Sequence, residues 1–271
     1  MTLHPFCYPE FKGLKRTLPT LLHFGTLPHI LTQDSYENAW DELRDYSGDY
    51  LKEEIQAEAL VRKIEAFSRF LSVAATTNTE LLNFQSIGSD AQVPGRTIRE
   101  YYSLLEDTLL GKTLEPLQFK ASGPKKLDRK FISTSKFYFF DTGVVNALLG
   151  RQDVNENSPE FGILFETFIH NELIAYRDYL SKAKDTPIQC WRSPTGNEVD
   201  FVIDGSIGIE VKSSQNLSKR AFQGLQKLSE LIPIRRKIVV CRERLPRKSQ
   251  DGIEILPWTH FLELLWNGDL F

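Results

Sequence analysis

Residues 198–214, Glu-Val-Asp-Phe-Val-Ile-Asp-Gly-Ser-Ile-Gly-Ile-Glu-Val-Lys-Ser-Ser, restrict the fold of this chain more than any other stretch. Read at period two, they form two short strands around a turn at Asp204-Gly205-Ser206. Val199, Phe201, Ile203, Ile207, Ile209 and Val211 share one face, which the pattern assigns to a core. The other face carries Asp200, Glu210 and Lys212. A two-residue Asp-Gly turn sets Asp200 opposite Ile209 and mixes the faces. A three-residue loop over 204–206 pairs Asp200 with Glu210, Phe201 with Ile209 and Val199 with Val211, and the apolar pattern selects it. Two carboxylates then meet with Cβ atoms about 5 Å apart, where like charges repel unless a cation lies between them. Hard oxygen ligands at that spacing suit Mg²⁺ or Mn²⁺. Lys212 lies two residues along the same face, in reach of such an ion's substrate. A plainer reading uses the same residues: a solvated outer face with Glu and Lys as a cross-strand ion pair.

The rest of the chain sets the frame. Its 271 residues suffice for one large or two to three small domains, and 41% hydrophobic content is enough for a proper core. A net charge of −3 provides no global attraction to nucleic acid, so any such surface is local. Cys7, Cys190 and Cys241 lie far apart, with neither metal-ligand nor disulfide spacing. With no signal peptide and no apolar run of the roughly 20 residues that span a bilayer, the chain reads as a reduced, cytoplasmic protein without a membrane partner.

In chain order, residues 1–35 are rich in Pro and aromatics and lack a complete strand or helix pattern. Asp34 or Ser35 can cap a helix from Tyr36, and residues 36–75 read as one or two amphipathic helices with a break near Ser47-Gly48. Their stripe is Leu51, Ile55, Ala59, Leu60, Ile64, Phe67, Phe70 and Leu71. A short helix to about Gly88, a Pro94-Gly95 turn, a periodic helix capped by Thr97 and an extended Leu114–Leu117 follow. Three helices and then a hairpin match a winged helix-turn-helix. Arg96, Thr97, Arg99 and Tyr102 then stand at the front of the recognition helix. Lys112, Lys120, Lys125, Lys126, Arg129 and Lys130 line or flank the wing, a local basic zone suited to DNA phosphates. Winged helices also serve as protein-docking modules, and Glu100, Glu106 and Asp107 dilute the charge.

Gly111-Lys112-Thr113 imitates the end of a phosphate-binding loop. Glu106 stands where its first glycine belongs, and the following residues read as a strand rather than a helix, so no nucleotide site is expected. Residues 136–150 read as a strand and a helix capped by Asp141 or Thr142 and stopped by Gly150. A helix from about Pro159 to Ser181 follows, its polar edge carrying Glu166, His170 and Glu172. After the hairpin come a helix at 217–231 with Gln223 and Gln226, a buried strand at 237–241, extended residues 253–256 and a helix at 259–266. The order α-β-β-α-β from residue 160 suits a mixed sheet flanked by helices. The fold class is therefore α/β (α+β overall), with segments 1–60, 61–130 and 131–271.

Asp200…Glu210-Val211-Lys212 after a hairpin resembles the core of the PD-(D/E)XK nuclease superfamily. More widely, the chain resembles the C-terminal part of a prokaryotic AAA-type ATPase family. The stretches that carry this are Asp49–Ile55, Thr97–Tyr102, Lys136–Gly143, Gly162–Glu166, Trp191-Arg192, Glu198–Phe201 and Ile209–Lys212. Such proteins run from a P-loop core through a helical lid and winged helix to a PD-(D/E)XK-like domain. The resemblance makes residues 1–60 a remnant of core and lid, without ATPase activity of its own and with a P-loop ATPase as a partner in trans. It implies that Asp200, Glu210, the Val211 carbonyl and Glu166, with Glu172 in reserve, hold Mg²⁺ or Mn²⁺, and that Lys212 serves hydrolysis of a DNA phosphodiester. A non-catalytic nucleic-acid or protein-docking module is the alternative.

Overall fold

A computed structural model describes residues 2–33, 35–50, 64–118, 132–180 and 183–271. The chain packs as two units, one of Leu3–Thr113 with Phe137–Phe168, the other of Met1–Thr2, Leu114–Lys136 and Ile169–Phe271. These cut across the three sequence segments, because residues 137–168 pack with the N-terminal unit. The first unit is largely helical and the second is built on a mixed sheet, an α/β fold overall. Asp34, the stripe positions Leu51, Ile55, Ala59 and Leu60, and the basic positions Lys120, Lys125, Lys126, Arg129 and Lys130 lie outside the described residues.

The first unit opens on short helices where no complete pattern is expected: α1 (Tyr8–Phe11), α2 (Leu18–Phe24) and α3 (Pro28–Leu31). Each has a proline in its first turn, where the missing N–H has no helical partner to lose, so Pro9, Pro19 and Pro28 start helices here rather than break them. Helix α4 (Tyr36–Asp45) is capped by Ser35, whose Oγ accepts the Asn38 N–H at 3.4 Å. Helices α5 (Ile64–Thr76), α6 (Phe84–Ala91) and α7 (Gly95–Asp107) precede a two-stranded sheet of β1 (Gly111–Leu114) and β2 (Lys136–Phe139). Helix α8 (Thr142–Leu148) and the start of α9 (Pro159–Tyr179) complete the unit.

Asp141 ties α8 to the N-terminal segment. Its Oδ1 accepts the Val144 N–H at 3.1 Å, capping α8, and its Oδ2 accepts the Thr26 N–H at 2.7 Å. Gly25 has φ of +75°, and a Cβ there would overlap the Asp141 carboxylate, so only glycine serves. Asn146 donates to the Leu22 and His23 carbonyls at the end of α2, and Thr142 donates to the Leu21 carbonyl, which also accepts the Gly25 N–H. Burial pushes the Asp141 carboxyl up to about 6 against the pull of its backbone donors. A raised carboxyl pKa stabilises the fold most below the ordinary value near 3.8, and this contribution fades as pH rises through about 6. Asp141→Ala leaves the Thr26 and Val144 amides without their acceptor, and we expect a loss of about 2–3 kcal/mol in urea unfolding. An unchanged midpoint contradicts the latch.

The second unit holds a six-stranded sheet in the order β3-β4-β5-β6-β8-β7. Its strands are β3 (Ile188–Arg192), β4 (Glu198–Ile203), β5 (Ile207–Val211), β6 (Arg236–Cys241), β7 (Arg247–Lys248) and β8 (Glu254–Pro257). The β5–β6 and β6–β8 pairs are parallel and the others antiparallel. Helix α10 (Gln223–Ser229) covers one face, with Leu225 and Leu228 in one core cluster with Val202, Val239 and Ile255. Helix α11 (Trp258–Asn267) follows β8, and its Trp266 Nε1 donates to Glu172 Oε2 at 2.7 Å. Strand β3, absent from the sequence expectation, is short and preceded by Pro187. The chain at Pro116 bridges its outer side, with Leu117 N–H donating to the Cys190 carbonyl at 2.7 Å.

Candidate active site

The expected hairpin register holds at Phe201↔Ile209, whereas the expected pairs Asp200 with Glu210 and Val199 with Val211 lie beyond the ladder. The ladder runs Ile203↔Ile207, Val202↔Gly208 and Phe201↔Ile209. Asp204 and Gly205 both have positive φ (49° and 59°), and the Ser206 N–H closes the turn on the Ile203 carbonyl at 3.0 Å. A tight Asp-Gly turn therefore sits inside the longer loop, and Ser206 is the extra residue that shifts the register.

The expected faces hold only in part. Between β3 and β4 the register runs Gln189↔Val202 and then Trp191↔Val199, so β4 carries one extra residue, a bulge at Asp200-Phe201. The bulge turns Val199 away from Phe201. Val199 joins Val202 and Leu225 under α10, and a Cβ on Gly208 would lie 3.7 Å from Val199 Cγ1. Both faces are covered, since residues 199–203 and 207–211 are buried throughout. A solvated outer face is thereby excluded for Asp200 and Glu210, which are 3% and 5% exposed.

Each acidic group has a distinct setting. Asp200 Oδ2 accepts the Val211 N–H at 2.8 Å, and the Lys136 Nζ at the start of β2 lies 3.7 Å from Asp200 Oδ1. Glu210 Oε1 accepts from Lys212 Nζ at 2.5 Å, whereas its buried Oε2 has no hydrogen-bond partner among the described residues. Burial first, and the Asp200 carboxylate second, push the Glu210 carboxyl well above the usual carboxylate range, with Lys212 pulling part of the way back. Glu210 and Lys212 form part of the wall of a polar cleft of about 480 Å³, whose other lining includes Glu198, Arg220, Gln223 and Gly224. Arg192 pairs with Glu198 at 3.5 Å.

The remaining expected site residues each have their own setting. Glu166 belongs to the first unit, where its Oε1 accepts the Tyr138 hydroxyl at 2.6 Å. Glu172 is buried on Trp266, and His170 Nδ1 lies 3.0 Å from Asn171 Oδ1. On α7, Arg96 is exposed and pairs with Glu100 at 3.3 Å, while Arg99 lies over the Phe84 ring at 4.8 Å. Thr97 is not the cap: the helix starts at Gly95 after Pro94. Tyr102 is not a surface residue. It is 3% exposed among Phe70, Phe84 and Phe137, and burial pushes its hydroxyl up to about 12. Lys112 is on β1, so Gly111-Lys112-Thr113 is a strand and not a loop opening a helix.

Sequence reasoning missed Lys136 and Arg220. Lys136 had a signal: a lysine leading directly into the apolar strand Phe137-Tyr138-Phe139 invites the question of what balances it. Arg220 had none, because a basic residue in a polar turn looks solvated.

Among the described residues, no group of three or more His, Cys, Asp or Glu side chains is gathered to hold a metal. A cage made wholly of side chains is thereby excluded for them. Mg²⁺ commonly keeps several waters and binds through one or two carboxylates, and the free Glu210 Oε2 beside Asp200 fits that demand.

Fold and site together define a mixed-sheet α/β protein with an Asp, Glu and Lys set at the end of a buried hairpin. The chain belongs to the family described as domain of unknown function DUF8612, which matches residues 15–155, more than half its length. Residues 161–261 match the domain of unknown function DUF4143, a domain often found alongside AAA ATPase regions. No curated protein and no solved structure matches the chain.

Proposed function

We propose that the sheet unit is a metal-dependent phosphodiester hydrolase of the PD-(D/E)XK nuclease type, acting on DNA. The single observation that carries this reading is Glu210 Oε2, a buried carboxylate oxygen with no donor among the described residues, beside Lys212 in the wall of a polar cleft. Such an atom is costly unless a proton or a cation comes to it. Glu210, Asp200 and the Val211 carbonyl would hold Mg²⁺ or Mn²⁺, which supplies a Lewis acid and an acidified water. Lys212 orients the water and meets charge developing on the phosphate. Arg220, on the same cleft, binds the neighbouring phosphate. Glu166 Oε1 accepts the Tyr138 hydroxyl, and the proposed metal ligands are Asp200, Glu210 and Val211 without it.

Helices α5, α6 and α7 followed by the β1–β2 ribbon support a winged helix-turn-helix, with Arg96, Arg99 and Lys112 as its DNA contacts. A P-loop ATPase acting in trans is proposed as a partner, on the DUF4143 match. Arg96→Ala and Arg99→Ala are each expected to lower the salt slope of DNA binding by about one. Unchanged slopes remove α7 from the DNA surface.

The test of hydrolysis is nicking of supercoiled plasmid in Mg²⁺. Wild type is expected to nick, and nicking that survives Glu210→Ala removes this site. The pH dependence has a defined sign. Below the ordinary glutamate value of 4.5 a proton fully occupies Glu210, and its stabilising effect is lost as pH rises through the raised value. A cation competes with that proton, so Mg²⁺ affinity should climb over the same window. Affinity flat with pH counts against Glu210 as a ligand.

One observation favours the non-catalytic docking module. Lys136 and the Val211 N–H already engage Asp200, and Lys212 engages Glu210, so each acid has a cationic neighbour without an ion. Absence of binding at millimolar Mg²⁺ or Mn²⁺ would leave the hydrolase reading without a basis.

A further inference from the structure

We infer that Lys136 is a positioning residue for the acid pair: its ammonium holds Asp200 and occupies the place of a cation, so a divalent ion enters only in competition with it. The competition rests on the metal reading above; the hold on Asp200 does not.

Lys136 is 6% exposed, an uncommon state for a lysine without a counter-charge, and Asp200 is equally enclosed at 3%. Their charged atoms are 3.7 Å apart, long for a hydrogen bond and well inside ion-pair range. The remaining Asp200 oxygen is fixed by the Val211 amide, so Lys136 and a backbone donor together set the carboxylate's direction. Lys212 does for Glu210 Oε1 what Lys136 does for Asp200 Oδ1, so each of the two carboxylates already has an ammonium group against it. A divalent ion entering beside them meets the repulsion of both ammonium groups. Coulomb repulsion at these distances is strong enough to set affinity. Lys212, about a third exposed, can swing towards solvent, whereas the enclosed Lys136 stays in place, so its charge is the one an entering ion meets.

The experiment compares full-length wild type, Lys136→Met, Asp200→Asn and the double variant, by urea unfolding without metal and by Mn²⁺ titration calorimetry. Lys136→Met should lower the unfolding midpoint by stranding the Asp200 charge, and Asp200→Asn in the same chain should recover part of the loss. The midpoint of Lys136→Met should rise again with Mn²⁺, and that variant should bind Mn²⁺ about tenfold more tightly than wild type. If Lys136→Met alone fails to fold, recovery in the double variant still reports the pairing. Additive effects on the midpoint overturn the hold on Asp200. Equal or weaker Mn²⁺ binding by a folded Lys136→Met overturns the competition. Non-additivity without Mn²⁺ binding in any of the four proteins keeps the hold, overturns the competition and removes the hydrolase reading with it.

Discussion

Glu210→Gln is expected to give a protein that is more stable than wild type and has lost both divalent-cation binding and plasmid nicking. Glutamine keeps an oxygen for Lys212 and places an amide N–H₂ where Oε2 now has no donor. The nearby Asp200 carboxylate, which opposes ionisation of Glu210, becomes a favourable neighbour for that amide. Removing a buried charge held against its preference should raise stability by about 1–2 kcal/mol near neutral pH, and the gain should grow with pH. Losing a metal-ligating and charge-stabilising group should cut nicking by about three orders of magnitude. Gain of stability with loss of activity is the signature of a site kept strained for function. A Glu210→Gln protein less stable than wild type contradicts this electrostatic account.

Gly224→Ala is expected to have the largest effect on the fold. Gly224 lies near the start of α10 on a helical backbone, where alanine on propensity alone gains about 1 kcal/mol. A Cβ there would overlap the Glu198 carbonyl oxygen and sit 2.9 Å from its carbon. Neither is the end of a flexible side chain, so α10 must lift off β4. Leu225 and Leu228, both fully buried, would lose their packing on Val199 and Val202. The expected cost is about 3–5 kcal/mol in urea unfolding, against the sign that propensity predicts. Glu198 and Gly224 both line the cleft, so a chain that still folds should also bind metal and DNA less well. A stabilised Gly224→Ala protein contradicts the close approach of helix and strand.

The hairpin was legible because burial makes register a matter of pattern: a slip of one residue would move Phe201 and Ile209 off the core. What the pattern could not show was the bulge. A single extra residue on β4 reverses Val199, and it shows only in the pairing of β4 with the neighbouring strand β3, which the sequence pattern had not marked as a strand. Tyr102 was misread for a similar reason. Its spacing on α7 suits either a front edge or a core edge, and the decision rests with Phe70 and Phe137 from other elements. The first 35 residues showed no complete helix pattern because their helices are short and the place of each proline in a first turn shows only once those helices exist. Lys136 and Asp200 are 64 residues apart, and only the tertiary fold brings the one to the other.

The central claim is that Asp200 and Glu210 form a cation site rather than a closed set of ion pairs. Titration calorimetry with Mn²⁺ at mildly alkaline pH, on wild type and Glu210→Gln side by side, tests it most directly. Saturable binding by wild type at or below millimolar metal, absent in Glu210→Gln, is the predicted result. No binding heat from wild type at millimolar Mn²⁺, or equal binding by the two proteins, would contradict it.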